Sequence, residues 1–271
     1  MNALEQIKEW GAEHAAAGVA RAERALASAG DTEHVFRWLS VTKLLTATAV
    51  LVAAEEGVLE LDEPAGPEGS TVRHLLAHTS GLPFEEGPPI APPGRRRIYS
   101  SYGFDVLGGH LAARAEMPFG EYLAEAVLQP LGLEAIELRG SPGEGAWGPL
   151  ADLLRFSREL LAPTLVAAET LAEATSVQFP GLAGVLPGFG REDPNDWGLG
   201  FELKDAKSPH WTGTRNSPRT FGHFGGSGTF LWVDPQVGIA CGCLTDRDFD
   251  DWAVEAWPRL SDDVLTELSQ R

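Results

Sequence analysis

The pattern of apolar and polar positions changes its period along the chain. Residues 3–16 carry apolar side chains at helical spacing and predict an amphipathic opening helix. Two short strands are expected over 18–27 and 34–38, with "SAGD" (28–31) as the turn between this first pair. From about Ser40 to Glu56 the sequence reads as a helix that is apolar nearly all round, stopping at Gly57. "LDEPAGPEGS" (61–70) is a loop, and 71–82 a short helix capped by Ser70 or Thr71 and ended by Gly81. The Pro-rich stretch 83–97 suits neither helix nor central strand and is expected at the surface. Helical spacing returns at 101–115, 118–129, 149–161 and 167–175. After a loop-rich stretch, 178–198, strand-like alternation appears at 197–204, 228–233 and 237–245, the last pair joined by an Asp-Pro turn. A helix over 250–270 closes the chain.

Strands near both ends and helices between them predict an α/β (α+β) fold. One antiparallel sheet is built from both chain ends, flanked by terminal helices, with a mostly helical subdomain inserted. The whole chain, 1–271, is expected to be one domain. Residues 1–62 and 196–271 would supply the sheet subdomain and 63–195 the helical one, with a site where they meet. No internal repeat or low-complexity linker is visible.

The formal charge of −18 argues against nucleic acid or an anionic membrane surface as partner, because both reward clustered Lys and Arg. "MNALEQIKEW" interrupts any apolar run with Glu5, Lys8 and Glu9, so no export signal is visible and a cytoplasmic location is expected. Cys241 and Cys243, two apart in a strand, read as buried thiols.

From Val41 to Ala54 the apolar helix contains one charge, Lys43. Ser40 stands at its predicted N-cap, with Lys43 one turn on along the same face. A capping serine and a snorkelling lysine would explain both residues, yet a cation opposes the helix dipole there and no polar face is available. A buried ammonium costs several kcal/mol unless it is paired or loses its proton. A lysine that loses its proton is a general base, and the Ser40 hydroxyl is the nearest proton source.

Two further stretches bear on this pair. "RRRIYSSYGFDVLG" (95–108) places Tyr99 and Ser101 at a loop-to-helix junction. "FGHFGGSGTFLWVDP" (221–235) is strand-like but dense in glycine at one end, which marks a bulge or a place where another molecule approaches the backbone. Such an edge can offer a free N–H to an oxyanion.

Together, "SVTK" (40–43), "YSS" (99–101), "HFG" (223–225), "LLAHTSGLP" (75–83), "YGFDVLG" (102–108) and "LWVDP" (231–235) resemble the serine hydrolases of the β-lactamase and penicillin-binding type. The branch they are most similar to holds class C β-lactamases, DD-peptidases and related esterases, and the resemblance runs from about 35 to 270. It implies that Ser40 attacks an acyl carbon while Lys43 and Tyr99 share the proton traffic. The backbone N–H groups of Ser40 and Gly226 would form the oxyanion hole. Gly225 and His223 would line the pocket, with His223 holding the Tyr99 hydroxyl or a substrate carboxylate. Ser101 stands where the family has Asn, and its shorter side chain is expected to weaken recognition of a substrate amide.

Arg215 and Arg219 lie just before the third motif and are candidate substrate-carboxylate ligands; "RRR" (95–97) reads as a solvated loop. His74 and His78 have zinc-ligand spacing but lack the Glu of H-E-x-x-H, and read as structural. "GGSGT" (225–229) lacks the final glycine of a nucleophile elbow around Ser227. Trp197 and Trp211 are candidates for the pocket wall, with core packing favoured.

The expectation is therefore a cytoplasmic serine hydrolase acting on a small-molecule ester or amide, ester preferred, with no metal or other cofactor. The alternatives are a β-lactamase or a DD-peptidase or aminopeptidase, and a catalytically silent binding protein of the same fold. The oligomeric state is not legible.

Overall fold

A computed structural model describes residues 1–270. The chain opens with a 3₁₀ segment, Asn2–Glu9, followed by β1 (Ala15–Ala20) and β2 (Ala25–Gly30). The short β3 (Phe36–Arg37) leads through a 3₁₀ turn, Leu39–Val41, into α1 (Thr42–Glu55). Then come α2 (Val72–Leu76), α3 (Ser101–Ala115) and α4 (Phe119–Leu123), the last continuing as a π-helical turn, Ala124–Leu128. Two short strands, β4 (Glu137–Leu138) and β5 (Ala146–Gly148), precede α5 (Leu150–Leu161) and α6 (Ala168–Ala174). A hairpin of β6 (Gly184–Leu186) and β7 (Gly190–Glu192) precedes β8 (Glu202–Leu203), β9 (Phe221–Gly225), β10 (Thr229–Asp234), β11 (Ile239–Thr245) and α7 (Asp251–Ser269).

The main sheet runs β2-β1-β11-β10-β9-β8, with every pairing antiparallel. β1 and β2 come from the start of the chain and the other four strands from its end, so the expected closure of both ends into one sheet is what forms. Small residues at the β1–β11 seam explain how a helix sits on it. Gly18 pairs with Gly242. A Cβ on Gly18 would meet Leu154 at 2.6 Å, and one on Gly242 would meet Leu153 at 2.8 Å. α5 therefore lies on this face of the sheet, although its residues fall within the segment expected to be helical insert. The opposite face is covered by α7 and the opening 3₁₀ segment, where Trp257, Leu260 and Val264 pack with Trp232, Cys241 and Cys243. Both cysteines are free and buried.

α1 is buried from Thr42 through Ala53. Burial of each Leu or Val there contributes about 1.5–3 kcal/mol. Its three threonines survive the apolar setting because each hydroxyl has a partner. Thr42 Oγ1 accepts from the Ala146 N–H at 3.0 Å, Thr46 donates to the Pro142 carbonyl at 2.6 Å, and Thr48 donates to the Leu44 carbonyl at 2.9 Å.

Several local expectations shift. Residues 3–16 do not form one helix: Gly11, at φ +66°, breaks it, and Ala15–Ala17 are drawn into the sheet against β11. Pairing with a neighbouring strand outweighs alanine's helical preference. The first hairpin turns at 21–24, where the Arg21 N–H donates to the Arg24 carbonyl at 3.0 Å, and 28–30 belong to β2. An Ala-rich strand carries no alternation to set that register. The strand expected at 197–204 shrinks to β8, and the loop-rich stretch 178–198 holds the β6–β7 hairpin. Among the described residues, no helix is long and apolar enough to cross a membrane.

Candidate active site

Ser40 does not cap α1; it lies inside the 3₁₀ turn that feeds the helix, and the cap position falls to Val41 with no side-chain bond. The preceding Leu39 has φ +45°, a conformation that is strained for a residue with a side chain. Directly after this strained residue, Ser40 lines a cavity.

Lys43 is fully buried, with Nζ 3.1 Å from Ser40 Oγ, 3.0 Å from Ser101 Oγ and 3.0 Å from the Gly143 carbonyl. No carboxylate touches it directly. Burial pulls its pKa down to about 7, against the opposing pull of Glu144 and then Asp105. Ser101 reaches this point because Ser100 fixes the start of α3: the Ser100 hydroxyl accepts from the Gly103 N–H at 2.8 Å and donates to the Pro83 carbonyl. The Ser101 hydroxyl in turn donates to Glu144 Oε1 at 2.6 Å.

That last bond decides the direction of the others. With its one proton committed to Glu144, Ser101 is an acceptor toward Lys43, as the Gly143 carbonyl must be. A neutral amine has two N–H bonds and one lone pair. The ammonium form donates to all three, Ser40 Oγ included; once it loses a proton, its two N–H bonds stay with these two acceptors and the lone pair is left for Ser40.

Tyr99 precedes Ser100 at the loop–helix junction, and its ring lies 5.0 Å from Lys43 Nζ. The phenol oxygen is buried without a well-formed hydrogen bond. Burial pushes its pKa up, partly offset by the nearby Ser40 and Ser101 hydroxyls. Rings surround it: His78 at 4.6 Å, Trp197 at 5.8 Å and His223 at 5.6 Å between centroids. Both histidines are held neutral by burial first and then by Lys43, His223 at about 3. His223 Nδ1 donates to the Phe224 carbonyl at 2.7 Å, so Nε2 is a bare acceptor, buried and without a protein partner.

The β9–β10 turn is fastened over the nucleophile. Ser227 Oγ donates to the Arg37 carbonyl at 2.7 Å, and Thr229 Oγ1 to the Trp38 carbonyl at 2.9 Å. A Cβ on Gly225 would meet the Trp38 carbonyl at 2.5 Å and Ser40 N at 3.2 Å, so glycine is what lets the strand lie against the Ser40 backbone. The molecule approaching that strand is this chain itself. Among the described residues, neither the Ser40 nor the Gly226 N–H donates to a protein acceptor.

These groups open into a cavity of about 200 Å³ whose wall includes Ser40, Tyr99, Trp197, His223, Gly226 and Phe249. Ser101 lies behind Lys43 instead, on a second cavity with Glu144. Arg215 and Arg219, the expected carboxylate ligands, are exposed and line neither cavity. The Arg215 N–H donates to Asp262 of α7 and the Arg219 N–H to Ser217, which turns this loop outward. Trp211 is core: its indole donates to Glu202 at 2.8 Å. Within "RRR", Arg97 is buried, donating to the carbonyls of Asn195, Ala77 and Gln178. His78 forms part of the Tyr99 surround, whereas His74 bonds Thr71 at 2.9 Å. Sequence reasoning missed Glu144, Gly143 and Phe84, whose ring lines the Ser40 cavity 5.9 Å from that of Tyr99. None belongs to a motif, and only the fold brings them to the site.

A family model described as Beta-lactamase matches residues 9–265. A β-lactamase crystal structure from Mycobacterium bovis is 55% identical, with TM-score 0.96 and 98% of each chain covered. EstCE1, a hydrolase with promiscuous acyltransferase activity, has the same fold at TM-score 0.81 and 19% identity, over 97% of this chain and 96% of its own. The D-alanyl-D-alanine-carboxypeptidase/endopeptidase AmpH of Escherichia coli K12 is 26% identical over 149 residues, covering 41% of this chain. The match spans 39% of AmpH's own length.

Proposed function

This chain belongs to the β-lactamase family, and on that premise we propose that it is a serine hydrolase working through an acyl-enzyme on Ser40, with small esters as preferred substrates. The observation that carries the reading is the Lys43 contact set: a fully buried amine between Ser101 Oγ, the Gly143 carbonyl and Ser40 Oγ. Ser40 Oγ attacks the acyl carbon and passes its proton to the Lys43 lone pair. The oxyanion that forms takes the N–H groups of Ser40 and Gly226. As the ester bond breaks, the proton moves by way of the Tyr99 phenol to the leaving alkoxide, which departs as the alcohol. Water then attacks the acyl-enzyme by the reverse traffic, releasing the acid and restoring Ser40.

Two features support esters over acylamino substrates. The Ser101 proton is spent on Glu144, so the side chain has no donor left for a substrate amide carbonyl. The Ser40 cavity, about 200 Å³ and walled largely by rings, suits a short apolar acyl group. A second reading, β-lactam hydrolysis, is favoured by the name of the 55%-identical relative.

Turnover of p-nitrophenyl acetate and butyrate, nitrocefin turnover and labelling by a fluorophosphonate probe separate these readings. The expected result is fluorophosphonate on Ser40 and ester turnover well above nitrocefin turnover. Nitrocefin turnover exceeding ester turnover favours the second reading. Labelling that survives Ser40→Ala contradicts both.

A further inference from the structure

We propose that Glu144 is a positioning residue for this reaction: through the Ser101 hydroxyl it holds the Lys43 amine with its lone pair toward Ser40. The inference rests on the reading of Lys43 as the base that takes the Ser40 proton.

The chain of contacts is Glu144 Oε1, 2.6 Å, Ser101 Oγ, 3.0 Å, Lys43 Nζ, 3.1 Å, Ser40 Oγ. A hydroxyl has one proton and two lone pairs, so by itself Ser101 can donate to a neutral lysine or accept from it. Donation to Lys43 would occupy the lone pair that Ser40 needs. A carboxylate at 2.6 Å removes that choice, because a charge-assisted O–H···O⁻ bond is roughly twice as strong as a neutral one. Ser101 is left to accept, and the amine can turn only one way.

Glu144 also acts through its charge. The titratable groups facing Lys43 are Tyr99 before α3, Asp105 on α3, His78 after α2, His223 on β9 and Glu144 itself. Of these, Glu144 and Asp105 favour the ammonium form, and Glu144 does so more strongly. It therefore keeps Lys43 basic enough to accept a proton near neutral pH, against burial that would take it lower. Glu144 follows Gly143, whose carbonyl is the amine's other acceptor, so one short segment supplies both constraints on Lys43.

The test is the pH profile of kcat/KM for p-nitrophenyl butyrate and of fluorophosphonate labelling at Ser40. The variants are Glu144→Gln, Glu144→Leu, Ser101→Ala and the Glu144→Leu/Ser101→Ala pair. Glutamine keeps an acceptor for Ser101 but not the charge, so the acidic limb is expected to move about half to one pH unit lower. Leucine removes the acceptor, and the plateau is expected to fall about tenfold or more with KM little changed. In the Ser101→Ala background the leucine change is expected to cost less than about twofold, because the connection is already cut.

A Glu144→Gln profile that superimposes on wild type overturns the proposal. So does a Glu144→Leu loss of equal size with and without Ser101. General damage would lower the plateau without moving the limb to lower pH. Failure of the underlying reading looks different: the wild-type limb would persist in Lys43→Met, which removes the base reading and this inference with it.

Discussion

Two buried lysines, Lys43 and Lys207, occupy this fold, and the contrast between them explains what the candidate site does. Lys207 Nζ donates to Glu202 Oε1 at 2.6 Å and to the carbonyls of Asp196 and Leu203. The other Glu202 oxygen takes His210 Nε2 and Trp211 Nε1, both at 2.8 Å. Burial pushes the Glu202 carboxyl up, but His210 and Lys207 outweigh it and hold the group near 2. Here cation and carboxylate meet directly. Lys43 is equally dry, yet its carboxylate stands one hydroxyl away, beyond Ser101. Burial then governs, and its pKa falls to about 7. The same side chain ties down a loop in one place and is poised to exchange a proton in the other. What differs is the first neighbour.

The largest expected effect is on the chemistry. Ser40→Ala should lower kcat/KM for p-nitrophenyl butyrate by about 10⁴ or more, and abolish fluorophosphonate labelling. Lys43→Met should cost about 10³ in the same assay, the range of a lost general base. The comparison sharpens when stability is read as well. Removing a buried amine that has hydrogen bonds but no direct carboxylate partner should leave the urea midpoint at neutral pH unchanged or raised, since the cost of burying its charge is relieved. Lys207→Met should instead lower stability by about 3 kcal/mol or more, because the buried Glu202 loses a partner. Equal stability losses for the two variants would erase the distinction.

The two sites should also part company with pH. Lys43 has a folded value near 7 and an ordinary value near 10.5, so between them the unfolded chain holds the extra proton. Wild type should therefore gain stability relative to Lys43→Met as pH rises from about 7 to 10.5 in urea titrations. Glu202 is shifted the usual way for a paired carboxylate, from 4.5 to about 2. Its contribution should be complete above pH 4.5 and fade as pH falls through 2.

How much of this the sequence carried depends on how local each signal was. Ser40 and Lys43 were legible because one helical turn sets their spacing and the helix around them has no polar face. Tyr99 was legible only through its junction and motif. Glu144 was not, since it sits in a loop whose contact with Ser101 is made by tertiary packing. Arg215 and Arg219 illustrate the reverse: nearness to β9 along the chain said nothing about which way the loop faces, and Asp262 of α7 draws it outward. In the fold, closure of both ends into one sheet followed from element order. The β1–β2 turn did not, because Ala-rich strands leave register to their partners.

The smallest expected effect concerns Ser101. Ser101→Asn would place an amide donor at the edge of the site, and should raise nitrocefin turnover relative to p-nitrophenyl butyrate turnover by about three- to tenfold. An unchanged ratio would mean that residue 101 does not govern the choice between ester and amide.

The most direct measurement is the titration of the lysines themselves. The chain has four, Lys8, Lys43, Lys204 and Lys207, so ¹³Cε-lysine labelling followed by NMR gives a spectrum that single variants can assign. One resonance should titrate near pH 7 and vanish in Lys43→Met. If the resonance that vanishes in Lys43→Met titrates instead near the ordinary value of about 10.4, the amine is charged at neutral pH and cannot take the Ser40 proton.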